Sequence, residues 1–168
     1  MRIRPETATD HAAITAVNRA AFGGDEEARL IDLLRRDGLI IASLVAVDGT
    51  DVVGHVLFSP VVVVTNTSEI QVASLAPVAV APSRQRMGIG SLLVRHGLDA
   101  CKHARYPAVI VVGHPSYYPR FGFSHAIVGG LTNPFATGEA FMGLEFSGGS
   151  LSGLAGGRIV YPDAFNQL

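Results

Sequence analysis

The chain has 168 residues, of which 48% are hydrophobic and 16% are charged. This length fits one domain, over residues 1–168, with enough apolar material for a core. The net charge of -1 disfavours a nucleic-acid partner, because it supplies no strongly basic surface. No apolar leader or membrane-length apolar run occurs, so we expect a cytoplasmic protein with neither a nucleic-acid nor a membrane partner.

The N-terminal part predicts a short strand and two amphipathic helices. The strand lies at Ile3-Arg4, and Thr9 or Asp10 caps the first helix. The second helix extends from about Asp25 to Arg36 and ends before Gly38. Its apolar residues recur at the spacing of one helical face. They are Leu30, Ile31, Leu33 and Leu34.

Three strand patterns follow these helices. Residues 43–47 and 52–64 read as two strands joined at Asp48-Gly49, which is a strong hairpin signal. Residues 70–80 form a third strand. We expect a bulge at Pro77, because proline cannot donate to a central ladder.

A helix after Gly88 and a further strand complete the predicted fold. The helix has an apolar stripe that consists of Gly90, Leu93, Val94, Gly97, Leu98 and Cys101. The β-branched run Val109–Val112 is typical of a buried parallel strand. We therefore predict an α+β fold: a mixed, mostly antiparallel central sheet with flanking helices and one parallel strand-helix-strand crossover.

The turn between the third strand and this helix has the composition of an anion-binding loop. The first N–H groups of a helix lack intrahelical partners and lie at its positive end, and glycines let a phosphate come close. No Lys follows Gly88 or Gly90, which excludes an ATP-type P-loop. Leu93 stands where a dinucleotide fingerprint has its third glycine, so the nicotinamide or flavin interpretation is weak.

Two motifs carry a resemblance to a known family. Gln85-x-x-Gly88-x-Gly90 resembles the acetyl-CoA pyrophosphate loop of the GCN5-related N-acetyltransferases, the GNAT superfamily. Tyr118 and Gly122-Phe123 match the Tyr-x-x-x-Gly-Phe pattern of the same superfamily. The whole chain resembles its YhbS-like branch of predicted N-acetyltransferases. His114 departs from that branch, which usually has Asp there, so this chain lacks that carboxylate.

The resemblance implies an N-acetyltransferase with acetyl-CoA as cosubstrate, which transfers acetyl directly to an amine in a ternary complex. The pyrophosphate would lie on the backbone of the loop, and the pantetheine amides would pair with the exposed backbone of Val78 and Val80. Arg84 or Arg86 would meet the 3'-phosphate. The expected cofactor-binding residues are Val78, Val80, Gln85, Arg86, Met87, Gly88, Ile89, Gly90 and Ser91.

The chemistry requires a proton acceptor and a group that stabilises the leaving thiol. At neutral pH, deprotonating an amine with a pKa near 10.4 costs roughly 4 to 5 kcal/mol. Glu27 and His55 are the candidate bases, with Glu145 as a further one. The alternatives are a helix-terminal carboxylate for Glu27 and a hydrogen-bonded core histidine for His55. The catalytic residues that we predict are Tyr118, Glu27 and His55.

Tyr118 would donate a hydrogen bond to the sulfur of CoA, as the resemblance implies. The alternative is that both tyrosines, Tyr117 and Tyr118, pack on the Phe121-Phe123 cluster. Cys101 belongs to the apolar stripe and is expected in the core. The histidines lack the spacing of metal ligands, so we expect no metal.

Residues 129–157 predict late strands that wall the acceptor site. We expect burial of Phe135, Phe141, Leu144 and Phe146 there.

Other functions stay open at this point. The chain could be a non-catalytic acyl-CoA-binding module, or an acyltransferase with a hydroxyl or lipid acceptor. The favoured acceptor is a small-molecule or peptide amine. A homodimer is possible, since similar enzymes often form one.

Overall fold

A computed structural model describes residues 1–136 and 138–167. The strands are β1 (Arg2–Pro5), β2 (Ala42–Asp48), β3 (Asp51–Val64), β4 (Glu69–Val80), β5 (Ala108–Val112), β6 (Phe141–Glu145) and β7 (Arg158–Val160). The helices are α1 (His11–Phe22), α2 (Glu26–Arg36), α3 (Ile89–His103) and α4 (His125–Val128). Short 3₁₀ turns connect several of these elements.

The strands of the described residues form one mixed sheet. Its order is β1-β2-β3-β4-β5-β6, and β7 pairs with β3. Antiparallel pairs are β1–β2, β2–β3, β3–β7 and β5–β6, whereas β4 and β5 are parallel. Helix α3 supplies the crossover that parallel neighbours require. The predicted fold class and the predicted hairpin are confirmed.

The chain divides into two compact units. The first unit comprises Met1–Ser59, Ala76–Ala100 and the segment from Asp163. The second unit comprises Pro60–Leu75 and Cys101–Pro162. A single domain over residues 1–168 stays a prediction, and Thr137 and Leu168 lie outside the described residues. Among the described helices, none has the length and apolar character that crossing a membrane requires.

The core of the first unit is built by α1, α2, β2 and β3, as the helix patterns predict. Its buried residues are Ile14, Leu30, Ile31, Leu34, Val45, Val47, Leu57 and Ala164. Asp10 is the residue at the start of α1, but its carboxylate turns back to accept the N–H of Thr7 at 2.7 Å. The guanidinium of Arg4 also donates to it and holds the pKa of Asp10 well below its usual range.

The second unit has its own core, to which β5, β6 and α4 contribute residues. It contains Val61, Val63, Val72, Ala108, Ile110, Val128, Leu131, Phe141, Leu151 and Ile159. The expected burial of Phe135 is wrong, since this residue is 50% exposed. The side-chain oxygen of Asn133 accepts the N–H of Phe135 at 2.9 Å in a tight turn. The turn leaves the Phe135 ring at the surface, edge-on to Tyr161 with centroids 4.9 Å apart.

Candidate active site

The segment between β4 and α3, which we call the phosphate loop (residues 81–88), lies in the first unit. Arg86 and Gly88 have left-handed backbones, with φ of 64° and 83°. A Cβ on Gly88 would meet no atom within 4 Å, so the loop is open at this point. The N–H of Leu92 donates to the carbonyl of Gly88 at 3.1 Å. This bond lies in the first turn of α3, and the N–H groups at the start of a helix lie at its positive end, which makes the start of α3 suited to a phosphate.

Hydrogen bonds fasten the loop to the sheet of the same unit. The N–H of Ala81 donates to the carbonyl of Val53 at 2.9 Å. The side-chain amide of Gln85 donates to the carbonyl of Val80 at 3.0 Å. This contact gives Gln85 a structural role within the motif, because it ties the loop to the end of β4. Since a carbonyl has two lone pairs, Val80 can still accept a second bond.

The two arginines of the loop have different surroundings. Arg84 donates to the Asp48 carboxylate at 2.6 Å, and this contact lowers the pKa of Asp48. Arg86 is exposed, and no carboxylate in the described ranges forms an ion pair with it. Arg86 is therefore the better placed of the two for the 3'-phosphate.

The remaining predicted cofactor residues form one continuous segment with the loop. Val78 and Val80 are half-buried on either side of the buried Ala79. Ile89 is only 3% exposed and anchors the start of α3 in the core, whereas Met87 is 63% exposed. Gly90 and Ser91 belong to the first turn of α3. This arrangement of open glycine backbone, helix terminus and adjacent strand fits the diphosphate and pantetheine of CoA.

Substitution of Arg86 is expected to discriminate between two cofactor forms. Arg86→Gln should raise the Kd for CoA about tenfold, because a hydrogen bond to a charged group contributes about 1.5 to 3 kcal/mol. The Kd for 3'-dephospho-CoA should hardly change. Titration calorimetry with both ligands measures the difference, and Arg84→Gln is the matched control. An equal effect of Arg86→Gln on both ligands would show that this arginine does not bind the 3'-phosphate.

Tyr118 begins a 3₁₀ turn, Tyr118–Phe121, after β5 in the second unit. Its ring packs edge-on against Phe123 and Tyr117, with centroids 5.8 Å and 5.1 Å away. A Cβ on Gly113 would lie 2.4 Å from Cε2 of Tyr118, so glycine is needed at this position for the ring to fit. Tyr118 is 7% exposed, while burial and the neighbouring Tyr117 raise its pKa to about 12.

The high pKa decides what the Tyr118 phenol can do. Because a thiol has a pKa near 8.5, full proton transfer from Tyr118 to a thiolate would cost about 5 kcal/mol. The phenol therefore keeps its proton and can act as a hydrogen-bond donor. Both tyrosines also contact Phe121, so the packing interpretation applies to each of them as well.

His55 lies in a buried polar network of the first unit. The ring is 0% exposed, and its Nδ1 accepts from the side-chain amide of Asn18 at 3.2 Å. The same amide donates to the carbonyl of Ile14, which fixes its orientation. The Nε2–H of His55 must then donate to the hydroxyl of Ser43 at 2.9 Å.

This environment argues against His55 as the base and for a core histidine. Burial lowers its pKa to about 4, and both ring nitrogens are bonded within the protein. Ser43, His55 and Asn18 are hydrogen-bonded in the order of a nucleophile triad. However, the His55 nitrogen that faces Ser43 carries the proton, so it cannot accept the proton of the Ser43 hydroxyl.

The two carboxylates differ in their suitability as bases. Glu27 is half-buried in the first turn of α2, where the helix dipole also favours a negative charge. Glu145 accepts the N–H groups of Leu151 and Ser152 at 2.8 Å and 2.9 Å. These bonds lower the pKa of Glu145, and they use its carboxylate to hold the backbone of residues 151–152. Glu145 is therefore a poor base, and Glu27 stays the candidate.

The environments of Cys101 and His114 indicate structural roles for both residues. Cys101 is 0% exposed, and burial raises its pKa to about 12, as expected for a core thiol. His114 is exposed, and its carbonyl accepts the N–H groups of Tyr117 and Tyr118. The turn thus depends on the backbone of residue 114 and tolerates histidine there. Within the ranges 1–136 and 138–167, no group of three His, Cys, Asp or Glu side chains could hold a metal.

Sequence reasoning missed two residues that support the site. Asp48 holds Arg84, and Gly113 makes room for the Tyr118 ring. Asp48 stands out in the sequence only as a hairpin residue. Gly113 directly follows β5, but no motif points to a ring beside it.

Together these features define a mixed-sheet protein with an anion-binding loop before a crossover helix. The sequence profile described as "Acetyltransferase (GNAT) domain" matches residues 2–126. The chain belongs to this family and is therefore an acetyltransferase. The resemblance found in the motifs is confirmed.

Several relatives match over nearly the whole chain. The uncharacterised N-acetyltransferase YhbS of Escherichia coli K12 is 36% identical over 170 residues, covering 100% of both chains. The crystal structure of E. coli YhbS in complex with CoA has a TM-score of 0.88 and 34% identity, covering 99% of this chain and 92% of that one. A GNAT acetyltransferase from Brucella melitensis in complex with acetyl-CoA has a TM-score of 0.81 and 32% identity, covering 98% and 97%.

Proposed function

We propose that this protein transfers an acetyl group from acetyl-CoA directly to an amine within a ternary complex. The observation that carries the proposal is the phosphate loop, which is open at Gly88 and leads into the start of α3. The relatives from E. coli and B. melitensis bind CoA and acetyl-CoA, which supports the same cosubstrate here. The acceptor is a small molecule or a peptide.

The residues would divide the work as follows. Backbone N–H groups of residues 86–91 hold the diphosphate, and the backbone of Val78 and Val80 aligns the pantetheine. The bound thioester supplies the activated acyl group. Glu27 accepts the proton of the attacking amine. Tyr118 donates a hydrogen bond to the sulfur as negative charge develops there.

A combined binding and turnover experiment tests the proposal. A ligand at a hundredfold excess over its Kd stabilises the folded state by about 2.7 kcal/mol, which a thermal shift detects. We expect stabilisation by acetyl-CoA and not by NAD or ATP, together with thiol release when amines are added. Stabilisation by NAD or ATP alone would overturn the assignment of acetyl-CoA as the cosubstrate.

Two other activities give different results in that experiment. Stabilisation by acetyl-CoA without thiol release across a broad amine panel would identify a binding module. Release with hydroxyl or lipid acceptors only would identify another acyltransferase. A homodimer and a cytoplasmic location remain predictions from the sequence.

Glu27→Gln is expected to lower kcat/KM at pH 7 about tenfold. General bases often contribute more, but water reaches a half-exposed site and replaces part of the effect. The deficit should shrink toward pH 10, because an amine with a pKa near 10.4 then loses its proton unaided. The matched control is Glu26→Gln in the same helical turn. A deficit that is constant from pH 7 to 10 would contradict a base role.

A further inference from the structure

The turn that carries Tyr118 has a second, outward face. The N–H of Tyr117 donates to the carbonyl of His114 at 3.0 Å, and the N–H of Arg120 donates to that of Tyr117 at 3.4 Å. The side chains of Tyr117 and Arg120 lie together, because the guanidinium of Arg120 lies over the ring of Tyr117. With His114, whose carbonyl anchors the start of the turn, they form what we call the basic face. His114 and Arg120 are exposed on it, whereas Tyr118 is buried.

The guanidinium of Arg120 is held in place by a tyrosine ring and a backbone carbonyl. It lies over the ring of Tyr117, 4.3 Å from the centroid, and its Nε donates to the carbonyl of Tyr117 at 2.8 Å. No carboxylate within residues 1–136 and 138–167 forms an ion pair with it. The ordering cost of this long side chain is already met in the free protein. A fixed, exposed guanidinium matches the two oxygens of a carboxylate.

The charge of the surrounding sequence favours an anion. No Asp or Glu occurs between Asp99 and Glu139. The same stretch contains Lys102, His103, Arg105, His114, Arg120 and His125. An anionic ligand at the basic face thus meets no like charge from residues 100–138.

The basic face is adjacent to the side chain that we propose for the leaving thiol. The Tyr117 ring contacts both the Arg120 guanidinium and the Tyr118 ring, and the centroids of the two rings are 5.1 Å apart. We propose that the basic face binds a carboxylate of the acceptor. The acceptor is then an amine that also carries a carboxylate, such as an amino acid or an acidic peptide. This inference rests on the proposed N-acetyltransferase function.

Matched acceptor pairs test the inference. The full-length protein is assayed for thiol release from acetyl-CoA with a series of ω-amino acids and with their neutral amides. We expect kcat/KM about tenfold higher for the acids, the effect of one charge-assisted contact at a solvent-exposed site. Arg120→Gln should abolish this preference. The matched control is Arg158→Gln, an exposed arginine on β7 of the same unit, which should keep it.

Each other outcome decides against the inference or separates it from the proposed function. Equal rates for acids and amides overturn the carboxylate site and leave the transferase standing. A raised KM for acetyl-CoA in Arg120→Gln, with unchanged acceptor preference, assigns the arginine to a cofactor phosphate. If no amine is acetylated, the proposed function fails, and glutarate titration decides the site. Binding by the wild type that is lost in Arg120→Gln supports it, and no binding by the wild type overturns it.

Discussion

Replacement of Tyr118 by phenylalanine is expected to lower kcat about a hundredfold and to leave the Kd for acetyl-CoA nearly unchanged. Removing one preorganised donor to a developing charge typically costs a factor of about 10² to 10³. The phenol, with a pKa of about 12, keeps its proton over the working range, so the whole effect is the lost hydrogen bond. Phenylalanine preserves the edge-on ring contacts with Tyr117 and Phe123. Steady-state kinetics and ligand titration measure the two quantities.

Two further variants separate chemistry from packing. Tyr117→Phe removes the neighbouring hydroxyl from the same aromatic cluster and should retain kcat. Gly113→Ala keeps the Tyr118 hydroxyl but displaces its ring, since the added Cβ would lie 2.4 Å from Cε2, and should lower kcat as well. Urea unfolding of each variant shows whether the cluster stays intact. If Tyr118→Phe turns over like the wild type, the tyrosine only packs.

The sequence predicts the elements here because their signals are local. In α2 the apolar spacing and Gly38 at its end define the helix, and the structure places Leu30, Ile31 and Leu34 in the core. The hairpin and the stripe of α3 follow from short-range patterns in the same way. The phosphate loop is also local, since strand, glycines and helix follow each other directly in the chain.

The partners of the site residues could not be predicted, because they depend on packing between distant segments. His55 meets Asn18 and Ser43, which are 37 and 12 residues away. Those contacts decide between a base and a core histidine, and both alternatives fit the sequence. Arg84 and Asp48 are likewise 36 residues apart. Strand register and helix packing bring such pairs together, and a single sequence does not encode them as a visible pattern.

Gly88→Val is expected to raise the Kd for CoA between tenfold and about a hundredfold. The backbone of Gly88 has φ of 83°, which a β-branched residue adopts only at a cost of about 1 to 3 kcal/mol. The loop should therefore rearrange and turn N–H groups at the start of α3 away from the diphosphate. Each lost hydrogen bond to a charged group costs about 1.5 to 3 kcal/mol. Titration calorimetry with CoA measures the change.

The control for this variant carries the same backbone strain away from the loop. Gly38 has φ of 69°, is exposed and, like Gly88, has no atom within 4 Å of an added Cβ. Gly38→Val should therefore lose a similar amount of stability in urea unfolding and bind CoA as the wild type does. If both variants weaken CoA binding equally, the effect is general destabilisation. If Gly88→Val binds CoA normally, the diphosphate does not lie on this loop, and the cosubstrate assignment loses its structural basis.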